Sequence, residues 1–159
     1  MKERGAMEIE RKFLVVGEPW RGAGPGTKIR QGYLSVQANA VVRVRVTDDE
    51  AWLTVKGPTH GISREELEYA IPSRDGNVLL GLCEGIVVVK ARYRVPIGEC
   101  IFLIDVFAGD NAGLVVAEIE LAHEDDDFPR PEWLAEEVSD DPRYRNSTLS
   151  RRPYASWTD

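Results

Sequence analysis

The stretch Met7-Glu-Ile-Glu-Arg-Lys-Phe-Leu-Val15 decides how this chain folds. Alternate residues of an extended segment point to opposite faces. Glu8, Glu10 and Lys12 therefore share one face, and Met7, Ile9 and Phe13 share the other. The same parity recurs downstream. Arg43 and Arg45 lie opposite Val42, Val44 and Val46, Lys56 goes with Trp52 and Thr54, and Arg64 goes with Glu66 and Glu68. Lys90 falls with Arg92 and Arg94, and Glu118 with Glu120.

Eight strands are predicted in all: Met7–Val15, Lys28–Ser35, Val41–Thr47, Ala51–Lys56, Ser63–Ile71, Val87–Pro96, Ile101–Phe107 and Leu114–Leu121. The breaks between them carry turn chemistry, as in Thr47-Asp-Asp-Glu50, Gly57-Pro-Thr-His-Gly61 and Gly109-Asp-Asn-Ala-Gly113. Hairpins, antiparallel pairing and a sandwich or barrel follow. Three helices are predicted. One is capped by Ser73 and runs through Val78–Cys83, and one starts at Pro131 and covers Glu132–Glu137. The third follows an Asp141 N-cap and runs from Pro142 through Arg145 to about Ser150.

At 159 residues the chain is expected to form one domain, 1–159, large enough to bury its own core. Its net charge of −7 argues against a general nucleic-acid binder, whose affinity rests on basic side chains. Neither a signal-peptide run nor a stretch of ~20 apolar residues is present, so no membrane partner is expected and the location expected is the cytoplasm. Cys83 and Cys100 match no zinc spacing and read as free thiols.

The charged stripes are segregated by sign. Acids pair as Glu-x-Glu on three strands, while Arg-x-Arg and Lys-x-Arg occupy others. A solvated face has no reason to sort its charges in this way. If the strands close into a barrel with the stripes inward, each unpaired ion costs several kcal/mol. A wide tunnel relieves that cost when a polyanion meets the bases and divalent cations meet the carboxylates. Glu-x-Glu sets two carboxylates about 7 Å apart on one strand face. Oxygen-only clusters of this kind suit Mg²⁺ or Mn²⁺. Arginine forks and lysine point charges suit phosphate oxygens, and so many bases imply a ligand as highly charged as a triphosphate.

The series Glu8-Ile-Glu10-Arg-Lys12, Arg43-x-Arg45, Lys56, Arg64-x-Glu66-x-Glu68, Lys90-x-Arg92, Asp105 and Glu118-x-Glu120 resembles, in order, the CYTH domain, or triphosphate tunnel metalloenzyme, family. The resemblance implies a mainly β (α+β) fold: an eight-stranded antiparallel tunnel, a few short helices outside, and a C-terminal helix near the tunnel mouth. It also implies hydrolysis of a linear triphosphate by metal-activated water, with Mg²⁺ or Mn²⁺ as cofactor. Met7–Leu14, Arg30-Gln-Gly-Tyr-Leu34 and Asp105-Val-Phe-Ala-Gly109 are similar to the short bacterial proteins that act on inorganic tripolyphosphate. Where those carry Tyr-Lys-Asn, this chain reads Tyr144-Arg145-Asn146.

On this resemblance Glu8, Glu10 and Lys90 are the expected catalytic residues, and Glu8, Glu10, Glu118, Glu120 and Asp105 the expected metal ligands. Lys12, Arg43, Arg45, Lys56, Arg64, Lys90, Arg92 and Arg145 are expected on the phosphates. Asp105, Glu66 and Glu68 could equally orient basic side chains, and Arg94 reads as solvated. No residue forms a convincing nucleophile; His60 and His123 lie in loops. Adenylyl cyclase, thiamine triphosphatase and a non-catalytic triphosphate sensor are the alternatives, and the assembly expected is a monomer or homodimer.

Overall fold

The computed structural model describes residues 7–157. Nine strands run in the order β1 (Met7–Val15), β2 (Thr27–Val36), β3 (Val41–Val46), β4 (Ala51–Lys56), β5 (Ser63–Ile71), β6 (Glu84–Ile97), β7 (Cys100–Phe107), β8 (Val115–Glu120) and β9 (Leu134–Glu137). Helix α1 (Ser73–Leu80) follows β5, and α2 (Asn146–Leu149) lies near the C-terminus. All pairings are antiparallel, and β5 pairs back onto β1, which closes eight strands into the ring β1-β5-β4-β3-β2-β6-β7-β8. Alternation in β1 explains its place, because Glu8, Glu10 and Lys12 face the interior while Arg11 and Phe13 face the outside.

Most of the apolar core therefore lies outside the ring. Phe13, Val95, Phe102, Ile104, Ala117 and Ile119 are covered by Trp20, Phe128 and Trp133 from the loops. Leu80 of α1 covers Val44, Val46 and Ala51. A third cluster lies on the inner face. Leu14, Val88, Phe107 and Val116 share the parity of Lys12, Lys90, Asp105 and Glu118, and they meet Leu149 of α2, which is fully buried. Burial of a leucine contributes about 1.5–3 kcal/mol. That apolar layer fills one end of the barrel and anchors α2 there. Gly85 permits the fit: at φ 69° it passes so close to the Ser150 carbonyl that any Cβ would strike it, and Ile86 N donates to that carbonyl at 2.8 Å.

The structure corrects three local expectations. Residues 134–137 form strand β9 rather than a helix. β5 covers only Met7–Ile9 of β1, so the edge near Phe13–Val15 would lie open, and β9 pairs with it at Phe13–Glu137 and Val15–Leu134. Unpaired edge groups demand such a cover. Ser73 does not cap α1; Pro72 holds that position, the Ser73 hydroxyl donates to the Asp49 carbonyl, and the helix ends at Leu80 rather than Cys83. Asp141 does cap, accepting from Arg143 N at 3.0 Å, but the turn it starts is a 3-10 turn ending at Tyr144. The chain is extended at Arg145 (ψ 136°) before α2 begins.

Candidate active site

The barrel interior holds a cavity of about 350 Å³. Its lining includes Glu8, Glu10, Lys12, Arg43, Arg45, Lys56, Arg64, Glu66, Glu68, Lys90, Arg92, Glu118, Glu120 and Arg145, with Tyr33, Val41 and Leu103 among the few uncharged faces. Every expected site residue except Asp105 is thus brought to one cavity. Arg94 is exposed and absent from the lining. The ring order explains the segregation of charge. Strands β8, β1 and β5, which carry the carboxylates, are consecutive, whereas β3, β2 and β6 lie across the ring, β2 being four strands from β1 in either direction. An acidic wall therefore faces a basic one.

Register sets the individual contacts. Glu10 sits opposite Glu120 and Lys12 opposite Glu118 on β8. Lys12 Nζ lies 3.7 Å from Glu118 and donates to the Tyr144 carbonyl at 3.1 Å. Lys56 lies 3.1 Å from Glu8 and 3.3 Å from Glu66. Asp105, 1% exposed, is the anchor of the basic wall: Lys90 approaches it at 2.8 Å, and Arg92 forks onto both its oxygens at 2.7 and 2.8 Å. A carboxylate with both oxygens so occupied holds bases rather than facing the cavity. Arg64 is drawn aside, with Nε and an Nη donating to the Gly57 carbonyl at 3.1 and 2.8 Å.

The walls differ in how well they are satisfied. Among the described residues Arg43 and Arg45 have no carboxylate within 4.0 Å, and the buried Nε of Arg43 has no hydrogen-bond partner. Among the described residues Arg43 donates to Thr54 Oγ1 at 3.1 Å, and Arg45 to Gln31 Oε1 at 3.0 Å. Burial, then the charges of Arg43 and Arg92, pull Arg45 below its ordinary range. Burial pulls Lys90 down to about 7 despite Asp105, with Arg92 and Arg45 adding to the fall. Arg92 moves the other way: burial opposes its charge, but Asp105 and then Glu118 prevail and raise it.

On the acidic wall, burial and then Glu118 and Glu8 push Glu10 up to about 8, against the weaker pull of Lys56 and Lys12. Glu118 is held low: burial opposes its ionisation, but Lys12 and Arg92 outweigh it. Among the described residues Glu10 has no basic partner within 4.0 Å. A carboxylate forced toward neutrality by burial, and then by two neighbouring carboxylates, fits a site completed by a divalent cation. No three acidic, histidine or cysteine side chains among the described residues converge as a ready-made metal cage. Mg²⁺ asks for none, because it binds through one or two carboxylates together with waters and substrate phosphates.

Sequence reasoning quoted Gln31, Tyr33 and Asn146 only within matched motifs, with no role assigned, and did not single out Ser147. Gln31 and Tyr33 follow the inward parity of β2, opposite Arg45 and Arg43 on β3, but carry no charge to mark them.

A closed antiparallel barrel with a carboxylate wall facing a guanidinium wall defines a receptor for a polyanion taken up with divalent cations. The chain belongs to the CYTH domain family, whose model matches residues 6–154. It is 45% identical to an inorganic triphosphatase of Acetivibrio thermocellus over 94% of this chain and 97% of that one. It is 38% identical to an inorganic triphosphatase of Nitrosomonas europaea over 90% and 96%. A solved inorganic triphosphatase structure superposes with a TM-score of 0.63 at 33% identity, covering 90% of this chain and 97% of the other.

Proposed function

We propose that this chain, as a single domain, hydrolyses inorganic tripolyphosphate to diphosphate and orthophosphate with Mg²⁺ or Mn²⁺. The observation that carries the reading is the pair of unsatisfied groups on opposed walls: Glu10 without a cation and Arg43 Nε without an acceptor. A nucleotide would also want an apolar face for its base. The lining offers only Tyr33, Val41 and Leu103, which favours a bare phosphate chain. The two relatives and the solved structure named for inorganic triphosphatase activity support the same substrate.

Of Glu10, Glu118 and Glu120, one or two would hold the cation directly and the rest through its waters, with Glu8 beside them serving a second ion or orienting the attacking water. When bound, the ion supplies Lewis-acid polarisation of phosphoryl oxygens and acidifies water. Arg43 and Arg45 fork onto the phosphate oxygens, and Arg92, whose fork is held by Asp105, adds its charge and its remaining Nη; together they neutralise charge as the terminal P–O bond breaks, which is most of what phosphoryl transfer asks of a protein. Lys12 and Lys56 balance the acidic wall, at Glu118 and at Glu8 and Glu66 respectively, and Arg64 and Arg145 add positive charge along the cavity. Lys90, with its ammonium near neutrality in pKa, is suited to hand a proton at Nζ to the leaving diphosphate. Asp105 positions Lys90 and Arg92 and is not assigned as a metal ligand.

The test is phosphate release from tripolyphosphate, ATP, GTP and thiamine triphosphate, each with Mg²⁺, Mn²⁺ or chelator. Tripolyphosphate should be cleaved fastest and only with a divalent ion. Faster cleavage of ATP, or formation of a cyclic nucleotide, would refute the assignment.

A further inference from the structure

Behind the basic wall runs a chain of hydrogen bonds whose two ends can only donate. Arg45 Nε donates to Gln31 Oε1 at 3.0 Å, Gln31 Nε2 donates to Asn146 Oδ1 at 2.9 Å, and Lys90 Nζ donates to that same oxygen at 2.9 Å. A guanidinium and an ammonium have no acceptor to offer. Gln31 must therefore turn its oxygen to Arg45 and its nitrogen to Asn146. Asn146 must in turn give its oxygen to Gln31 and Lys90. The two cations thus dictate which way both amides face. What remains is Asn146 Nδ2, which has no partner among the described residues and belongs to a side chain that lines the cavity.

We propose that Asn146 is a substrate-binding residue whose Nδ2 donates to a phosphate oxygen, and that Gln31 is the positioning residue that fixes the donor end of that amide toward the substrate. The proposal rests on the triphosphate reading of the cavity. Gln31 suits the role: it is 1% exposed, lies outside the cavity lining, and also donates to Tyr33 Oη at 3.3 Å. The chemistry explains why the donor is neutral. Burial, and then Arg43 and Arg92, already depress Arg45, so another cation would add repulsion to the empty site. An amide adds N–H groups for an oxyanion without adding charge. The apolar contact of Leu149 keeps α2, and with it Asn146, seated at this end of the barrel.

The test compares Asn146→Ala, Gln31→Glu and Gln31→Met. Gln31→Glu keeps an acceptor for Arg45 but has no N–H, so Asn146 must turn Nδ2 to it and present Oδ1 to the phosphate. Gln31→Met leaves Asn146 held by Lys90 in its original sense. Tripolyphosphate affinity is measured by titration calorimetry in chelator, so that only protein donors are read, alongside melting temperature and, with Mg²⁺, KM and kcat. Loss of one hydrogen bond to a charged group corresponds to about tenfold or more in Kd. Asn146→Ala should therefore bind about tenfold more weakly, with KM carrying more of the loss than kcat. Gln31→Glu should match or exceed it while melting near the wild-type temperature, and Gln31→Met should lose least. A merely structural Gln31 predicts the reverse order, with Gln31→Met worst and affinity falling in step with melting temperature, and that result overturns its positioning role. Wild-type binding with Asn146→Ala within twofold of it overturns the proposal alone, even if Gln31→Glu does not fold. A wild-type protein that neither binds tripolyphosphate in chelator nor cleaves it with Mg²⁺ overturns the functional reading as well.

Discussion

Replacing Asp105 with Asn tests the basic wall, because it changes the charge of one buried group and little else. Asp105 accepts from Lys90 at 2.8 Å and from two nitrogens of Arg92 at 2.7 and 2.8 Å, and it is 1% exposed. Breaking a buried ion pair from one side costs about 3–5 kcal/mol, since the partner stays buried and uncompensated. Two features reduce that here. Arg92 keeps Glu118 at 3.5 Å, and Lys90, already near 7, can shed its proton once the anion is gone. The lower end, about 3 kcal/mol, is therefore expected. At about 2–4 °C per kcal/mol for a domain of this size, the melting temperature of the ligand-free protein should drop by roughly 6–12 °C. Glu99→Gln makes the same chemical change at an exposed turn outside the cavity lining and should move it by less than about 2 °C, as surface substitutions do. The assay is a thermal melt at pH 7.5 in low salt, both variants beside the wild type. If Asp105→Asn melts within 2 °C of the wild type, Asp105 is not the anchor of Lys90 and Arg92.

Glu118→Gln keeps its shape but loses the charge assigned to the cation, so phosphate release should fall by orders of magnitude while the circular dichroism spectrum stays native; near-normal turnover would refute the assignment. Arg43→Ala combined with Arg45→Ala removes two bases without a carboxylate partner, so the ligand-free protein should melt no lower than the wild type. The same double variant should lose the stabilisation by tripolyphosphate, which at a hundredfold excess over Kd is about 2.7 kcal/mol in the wild type; unfolding of the variant would make these arginines structural. Glu10 has its folded pKa raised from 4.5 to about 8, so the folded state binds more protons than the unfolded one across that window, and the stability it contributes below pH 4.5 is lost as pH rises through 8. The slope should approach 1.4 kcal/mol per pH unit at most and vanish in Glu10→Gln; parallel melting profiles for the two proteins would contradict it.

The parts of the fold legible in the sequence are those set by local alternation. Glu8, Glu10 and Lys12 share a face whatever surrounds β1, and sign segregation among β1, β3, β5, β6 and β8 is what distinguishes an enclosed charged interior from a solvated one. Strand β9 was not legible because its cause lies elsewhere, in the edge of β1 that β5 leaves open near Phe13. The apolar layer of Leu14, Val88, Phe107 and Val116 continues the charged parity, so only the barrel shows that these residues meet Leu149. Asp105 reads equally as a metal ligand or as a residue that orients bases until its register opposite Arg92 is known. Asn146 and Gln31 carry no charge and fall into no Glu-x-Glu or Arg-x-Arg pattern, so their place depends on contacts across the ring.

The directions of the perturbed groups fit together. Glu10 is driven toward its neutral form, and Lys90 is driven the same way from the opposite sign. Both shifts begin with burial and are increased by like charges on the same wall. A cation alone relieves Glu10 and leaves Arg43, Arg45 and Lys90 crowded. A polyphosphate alone relieves those bases but brings its own negative charge toward the acidic wall. The two together cancel both excesses and attract each other directly, so each strengthens the binding of the other. By linkage that coupling is reciprocal and equal in free energy. The acidic wall is therefore more than a scaffold for the ion: it weakens the hold of the site on a phosphate chain that arrives without its cation, and so favours the metal complex over the free polyanion.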